Sequence, residues 1–437
     1  MNYRSAGLCA AGFLLSASAF AACPAGTTLK GQYQGQEICA LSGTYTSNLV
    51  LTNDKLWSLE GGVFIGGDNT DSATLTIQPG SKVFGSKGLD FLVINRGSKI
   101  MAEGTASAPI VFTTAQLQGR SRGMWGGLIL NGNAPINSCN NPGQLCEAEG
   151  EGGTGKYGGT DPFDSSGVLK YVRVEFAGYP ITPENELNGI AFQGVGAGTT
   201  VDYIQVHMNA DDGVEFFGGT VNAKHIVLTG NKDDSLDWVL GWQGKVQYVM
   251  IQQYDDQGNN GIEADNFKSP QNALPRSNPE IANMTMIGTS GDLAKGGAGM
   301  LLRRGTGLTL YNTVITGFKS SCIDIDDTET FSNGAVFKNG ALESANGLQM
   351  THSVINCSRT FDVEGGDLWN TSGWYSAQAG NSIQDPGLNG WIPAAGSPLK
   401  GNGITPFDLF FDEVDFIGAI RDEASDWTAG WTTSARN

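Results

Sequence analysis

Basic side chains are scarce in this chain. Lys and Arg total 26 against 44 Asp and Glu, which leaves a formal net charge of −18 at pH 7. Affinity for nucleic acid rests on neutralising phosphates with basic residues, so that class of partner is excluded. Nothing after the N-terminal leader is apolar for the roughly 20 residues that a spanning helix needs, so no transmembrane segment is expected once the leader is cleaved. No helical period persists between Thr27 and Asn402. Gly-x-Ser-x-Gly, a phosphate loop, a Ser-His-Asp grouping and a dense calmodulin-type Asp loop are all missing. What the chain has in excess is Gly, 63 of 437 residues, which suits a backbone that turns constantly.

Residues 1–22 read as a secretory signal. Arg4 supplies the positive start, Gly7 to Ala17 an apolar run too short to span a bilayer, and Ala19-Phe20-Ala21 a small-x-small cleavage site. A lipid on Cys23 is the competing reading, although Phe20 stands where lipoprotein signals carry an aliphatic residue. Loss of the leader removes Cys9 and leaves Cys23, Cys39, Cys139, Cys146, Cys322 and Cys357. An even set in an exported chain reads as disulfides. Pairing nearest neighbours gives 23–39, 139–146 and 322–357, one of the roughly fifteen ways to pair six. The destination is secretion or the outer-membrane surface, with the periplasm as the alternative.

Acidic pairs recur every 22 residues, at Asp211-Asp212, Asp233-Asp234 and Asp255-Asp256. Asp212-Gly213-Val214-Glu215-Phe216 is echoed by Asp234-Ser235-Leu236-Asp237-Trp238. Asn188-Gly189-Ile190-Ala191-Phe192 comes before them, and Asn260-Gly261-Ile262-Glu263-Ala264 follows slightly late. A second phrase begins at Tyr171, Ile204, His225, Tyr248, Asn283, Asn312 and His352. Such a period means stacked units. With two or three short strands per unit and no crossover helix, the chain must coil so that each strand pairs in parallel with its equivalent one turn later. The expectation is an all-β, single-stranded right-handed parallel β-helix of roughly twelve coils with capped ends. Residues 23–48 would form the N-terminal cap, 49–402 the helix with a loop excursion at 131–167, and 403–437 a C-terminal cap. The excursion, rich in Gly and Glu, reads as a lid or contact surface. Trp369, Trp374, Trp391, Trp427 and Trp431 are expected at the closing end.

Several phrases resemble a known family. They are Leu75-Thr76-Ile77-Gln78-Pro79-Gly80, Gly97 to Thr105, Pro109-Ile110-Val111-Phe112-Thr113 and Trp125-Gly126-Gly127-Leu128. Over roughly residues 45–402 the chain is similar to the exported bacterial right-handed β-helix proteins of the pectin-lyase-like superfamily. Asp385-Pro386-Gly387-Leu388 and Pro393 to Leu399 are similar to the closing coil of many of them. The resemblance implies the fold. It implies less about activity, since the superfamily holds lyases, hydrolases, adhesins and surface proteins of other kinds.

Alternation along a strand turns Val214 and Phe216 inward and Glu215 outward, and likewise Asp237, Glu263 and Asp324 outward. Rungs lie ~4.8 Å apart, so Glu215, Asp237 and Glu263 form an exposed column whose neighbours repel by roughly 3 kcal/mol at an effective dielectric near 20. One reading is a divalent-cation site, most naturally Ca²⁺, with Asp211, Asp212, Asp233, Asp234 and Asp265 as further ligands. The other is that the turn aspartates cap backbone N–H groups and the strand carboxylates spread into water. The resemblance also implies a lyase constellation, in which Arg303 would take a proton beside Glu263, Asp237 and Asp265. Alternatively Arg303 only bridges two acids on neighbouring rungs. Paired carboxylates would serve a hydrolase. His207, His225 and His352 read as ladder residues. The working reading is a non-catalytic exported surface protein that binds a glycan, a divalent cation or both on its acidic face. A polysaccharide lyase or hydrolase is the alternative, and a purely structural surface protein the third.

Overall fold

Short runs of Val, Ile, Thr and Phe, closed by Gly, Asn or Asp, form strands because branched side chains suit extended backbone and the closing residues turn it. The computed structural model describes residues 22–436 apart from 140–143, 183–184 and 290–295, so the expected signal lies almost wholly outside the described residues. The strands stack into a right-handed parallel β-helix. One ladder runs through Phe91–Ile94, Gly127–Asn131, Ile190–Gln193, Val214–Phe217, Leu236–Val239, Ile262–Asp265, Met300–Arg303 and Ile323–Ile325. A second runs through Gly167–Glu175, Thr200–His207, Asn222–Thr229, Lys245–Gln252, Glu280–Ile287 and Leu308–Thr316.

The second ladder is not one straight strand per coil. Each strand folds at a single left-handed residue, with φ 49° at Tyr171, 53° at Tyr203 and His225, 65° at Tyr248, 56° at Asn283 and 51° at Asn312. Asn tolerates that region; Tyr and His reach it at a cost. Stacking offsets the cost, because the aligned bends bring Tyr171 within 4.3 Å of Tyr203, Tyr203 within 4.1 Å of His225 and His225 within 4.8 Å of Tyr248, ring centre to ring centre. Inside the coil, Phe192, Phe216 and Trp242 stack in the same way at 5.1 and 3.9 Å. Two short helices, Thr328–Gly334 and Thr371–Ser376, interrupt the strands near the C-terminal end.

At the N-terminal end, Thr28–Tyr33 pairs antiparallel with Gln36–Tyr45, which in turn lies parallel to Leu56–Ile65. The cysteines join as Cys23–Cys39, Cys139–Cys146 and Cys322–Cys357. The other end departs from expectation. Phe331, Trp369, Trp374 and Tyr375 close the last coil, whereas residues 403–436 run back along the flank of the helix. The reason lies in the residues that face outward from the second ladder. Val227, Met250, Thr285, Val314 and Val354 form one column there, and all are buried by the returning segment, with Thr285 accepting from Ala419 N–H. Trp391, Trp427 and Trp431 pack on this flank and not on the end.

Candidate metal centre

The first ladder carries the acidic phrase, and its register aligns Glu215 with Asp237 and Asp237 with Glu263. Ala191 precedes them on one side and Leu301 follows on the other, so the column is three rungs long, with Asp324 beyond Leu301. The turn before each strand adds a second column. An oxygen of Asp212 accepts from the Asp234 backbone N–H at 3.0 Å, and one of Asp234 from Asn260 N–H at 2.6 Å. Asn260 Oδ1 accepts in turn from Ala298 N–H at 2.9 Å. These residues therefore do cap the next coil, with one oxygen each. The third acidic pair of the 22-residue period does not join them. Four more residues in that coil put Asn259 and Asn260 at the turn, while Asp255 pairs with Arg436 and Asp256 with Arg122.

The expected exposure of the column is corrected by the structure. Glu215 and Asp237 are each only 9% exposed, Asp211 and Asp212 8%. Two segments cover them. The excursion folds as a small hairpin, Ala148–Glu149 with Lys156–Tyr157, and a second hairpin pairs Pro180–Thr182 with Asn185–Glu186. Buried Arg96 ties the excursion down through Asp68, Glu147 and the Gly158 carbonyl, and Tyr157 packs on Phe217. This roof adds Glu151 and Glu186 to the basin. Sequence reasoning missed both, and the Glu-rich stretch at 147–151 was the available signal.

Three groups of carboxylates result, each with ligand atoms within 4.8 Å of one another: Glu186, Asp211 and Asp233; Asp212, Glu215 and Asp237; Asp234, Asp237 and Glu263. Burial, and then the charge of neighbouring acids, drives their proton affinity up. Asp211 is pushed to about 9 and Glu151 to about 7. Asp212, Glu215, Asp234 and Asp237 are held well above the usual carboxylate range by the same causes. Glu263 also rises, because burial outweighs the nearby Arg303. The Asn188 amide donates to Glu215, while its Oδ1, buried, has no hydrogen-bond partner.

Cations stand at one end only. Arg303 Nε donates to Asp265 at 2.8 Å and its Nη2 to Glu263; Arg304 Nη1 reaches Asp265 at 2.7 Å. Burial works to lower the Arg303 pKa, but Asp265, Glu263 and Asp237 overcome it and hold the guanidinium firmly charged. An arginine so engaged bridges acids and is poorly placed to accept a proton. Lys268 lines the same rim. The histidines lie elsewhere: His207 bonds Thr229 and the Ala435 carbonyl, His225 bonds Asp202, and His352 sits at a bend.

Comparison with known proteins agrees with the architecture. A family described as pectate-lyase-like beta helix domain matches residues 43–391. No curated protein matches the chain significantly. Among solved structures, the periplasmic alginate epimerase AlgG is 10% identical, covering 82% of this chain and 80% of its own at a TM-score of 0.28. The Dettilon tailspike protein gp208 is 11% identical, covering 80% of this chain and 62% of its own at 0.23. Neither likeness bears on activity. No helix among the described residues is long and apolar enough to cross a membrane.

Proposed function

The chain belongs to the pectate-lyase-like beta helix family, and from that premise we propose that its roofed acidic face takes up divalent cations, Ca²⁺ foremost, and through them holds an anionic polysaccharide. The observation that carries this reading is the set of three carboxylate groups shared across successive coils. Nine carboxylates line the basin against three cationic side chains at one end, Lys268 and Arg304 on the rim and Arg303 bound to Glu263 and Asp265. So much buried like charge must be offset by protons or by cations. Ca²⁺ favours this donor set, since it takes six to eight oxygens from carboxylates, amide carbonyls and water. Asn188 Oδ1 offers one such neutral oxygen beside Glu215. A cation held by these carboxylates would take further oxygen ligands, and a uronate carboxylate is a natural one. The three disulfides fit an exported protein.

The experiment is calorimetric and thermal titration of the full mature chain with Ca²⁺, Mg²⁺ and EDTA, repeated with an acidic and a neutral polysaccharide. Saturable Ca²⁺ binding, a raised melting temperature and Ca²⁺-dependent retention of the acidic polymer are expected. Absence of any heat or thermal shift up to on the order of 10 mM Ca²⁺, about tenfold above the weak limit of extracellular sites, would sink the reading.

One observation favours a second reading, hydrolysis on the same face. Glu151, raised to about 7 by burial and then by Glu186, lies in the basin beside Asp211, Asp212 and Glu215, and a carboxyl with raised proton affinity next to a second carboxyl is the arrangement a glycoside hydrolase uses. Release of reducing ends from the polymer, abolished by Glu151→Gln, would favour it. For a lyase, Arg303 would have to give up a proton while held between Glu263 and Asp265, both of which favour its charged form.

A further inference from the structure

We infer that the flank of the β-helix is a peptide-reading groove, and that its unfilled N-terminal part takes an extended acidic peptide from another protein. The filled part shows how reading works. Gln205 donates to the Thr433 carbonyl and accepts from Thr433 N–H, both at 2.8 Å. Asn312 does the same with Ile404 at 2.7 and 2.9 Å, and Gln247 with Asp412 at 3.3 and 2.8 Å. Each amide thus copies the two-point pairing of a strand neighbour, which recognises main chain whatever the side chains. Charge selects between chains. The tail carries Asp408, Asp412, Glu413, Asp415, Asp422, Glu423 and Asp426 against Arg421 and Arg436. Lys224 and Lys245 on the flank receive Asp412 and Asp408.

The same outward column continues past the point where the tail ends its run. From Gln205 it passes in register through Arg173, Val111, Lys82 and Leu56 to Ile38. Arg173, which donates to the Trp431 carbonyl, is the residue of this column nearest the N-terminal end that is hydrogen-bonded to the tail among the described residues. Beyond it lies a cleft of about 470 Å³ between the N-terminal hairpin and the 115–120 loop. Its floor is apolar at Val111, Phe84 and Leu56, and it carries Lys82, Arg120 over the Phe176 ring, and Arg173 paired with Glu175. In a chain of net charge −18 that local excess of cations matches a segment like the tail. Gln36 and Gln116 stand on its rim, the residue type that reads main chain farther along.

The test is fluorescence anisotropy of the full mature protein with a labelled synthetic peptide of its own residues 407–420. A second peptide has Asp408, Asp412, Glu413 and Asp415 replaced by Lys. The acidic peptide should bind with a dissociation constant of roughly 10–100 μM, an ordinary strength for a short extended segment. The lysine peptide should not bind. Lys82→Glu, an exposed position whose melting curve should match the parent, should weaken binding about tenfold or more. Failure of the acidic peptide to saturate, equal binding of both peptides, undiminished binding to the Lys82→Glu protein, or displacement by an oligogalacturonate would each overturn the inference.

Discussion

On the flank, Gln205, Gln247 and Asn312 each exchange two hydrogen bonds with a single tail residue, and the mostly apolar column running along it is buried. Across the same coils, Glu215, Asp237 and Glu263 stack at one rung spacing with carboxylates above, below and in the roof. Both surfaces face away from the core, and both are covered by sequence-distant segments. One cover satisfies what it buries; the other adds Glu151 and Glu186 to an excess of like charge. A satisfied buried surface reads as stability. A surface that accumulates unfavourable charge, and keeps it, reads as a place where something else binds.

The sharpest way to break the comparison is to remove the flank's cover. Truncation after residue 402 would bare Val227, Met250 and Val314, all fully buried in the intact chain. Burial is worth about 1.5–3 kcal/mol for each such side chain, and the amides would lose their partners as well. The expected outcome is aggregation or a steep fall in melting temperature, read by calorimetry and size-exclusion chromatography. A truncated protein as stable and monomeric as the parent would make the flank an ordinary solvated surface.

The column of carboxylates was legible in the sequence, whereas its burial was not. Alternation within Val214-Glu215-Phe216 and its echo at Leu236-Asp237-Trp238 suffices to face the acids outward and align them. The roof comes from residues 147–157, 180–182 and 185–186, which share no period with the strands they cover. Gln205, Gln247 and Asn312 likewise look in sequence like solvated polar residues on an outer face. Only the return of the tail, more than ninety residues later in the chain for each of them, turns them into buried partners. The bends escaped for a local reason: nothing in Tyr171, Tyr203 or His225 suggests a left-handed backbone, which their mutual stacking and the edge-on rings of Trp427 and Trp431 support.

Within the acidic face, Arg303→Gln should have the next largest effect. Breaking a fully buried ion pair costs about 3–5 kcal/mol; the cost here should fall below that, because Arg303 is 25% exposed. The same change frees Glu263 and leaves Asp265 with Arg304 alone, so the gain in melting temperature on adding Ca²⁺ should grow. An unchanged gain would separate these two acids from the cation site.

Asp237→Asn should act in the opposite direction. Asp237 belongs to two of the three carboxylate groups, and each neighbour at rung distance repels it by roughly 3 kcal/mol at an effective dielectric near 20. Without divalent cations the variant should therefore be the more stable protein at pH 8, and its Ca²⁺ affinity should fall about tenfold or more. The pH dependence has a definite sign. Asp211 near 9 and Glu151 near 7 bind protons more tightly folded than unfolded, where they titrate near 4. Their contribution is complete below about pH 4 and is lost as pH rises, through about 7 for Glu151 and 9 for Asp211. The cation-free melting temperature should drop across that window, and Ca²⁺ should flatten the drop.

The smallest effect belongs to Asp324→Asn, and it tests where the site ends. Asp324 stands on the same ladder, but Leu301 fills the rung between it and Glu263. Its carboxyl is pushed to about 7 by burial and then by Asp326, Asp362 and Glu364, a separate set of acids. Because the folded value lies above the unfolded one, Asp324 gives up stability as pH rises from about 4 to 7. Removing the carboxyl should leave melting at pH 4 unchanged and raise it slightly at pH 8. The thermal response to Ca²⁺ should stay as it was, since an apolar rung supplies no ligand and keeps Asp324 two rungs from Glu263. A weakened Ca²⁺ response would mean that cations bridge past Leu301, and the site would have to be redrawn as a continuous channel along the whole acidic face.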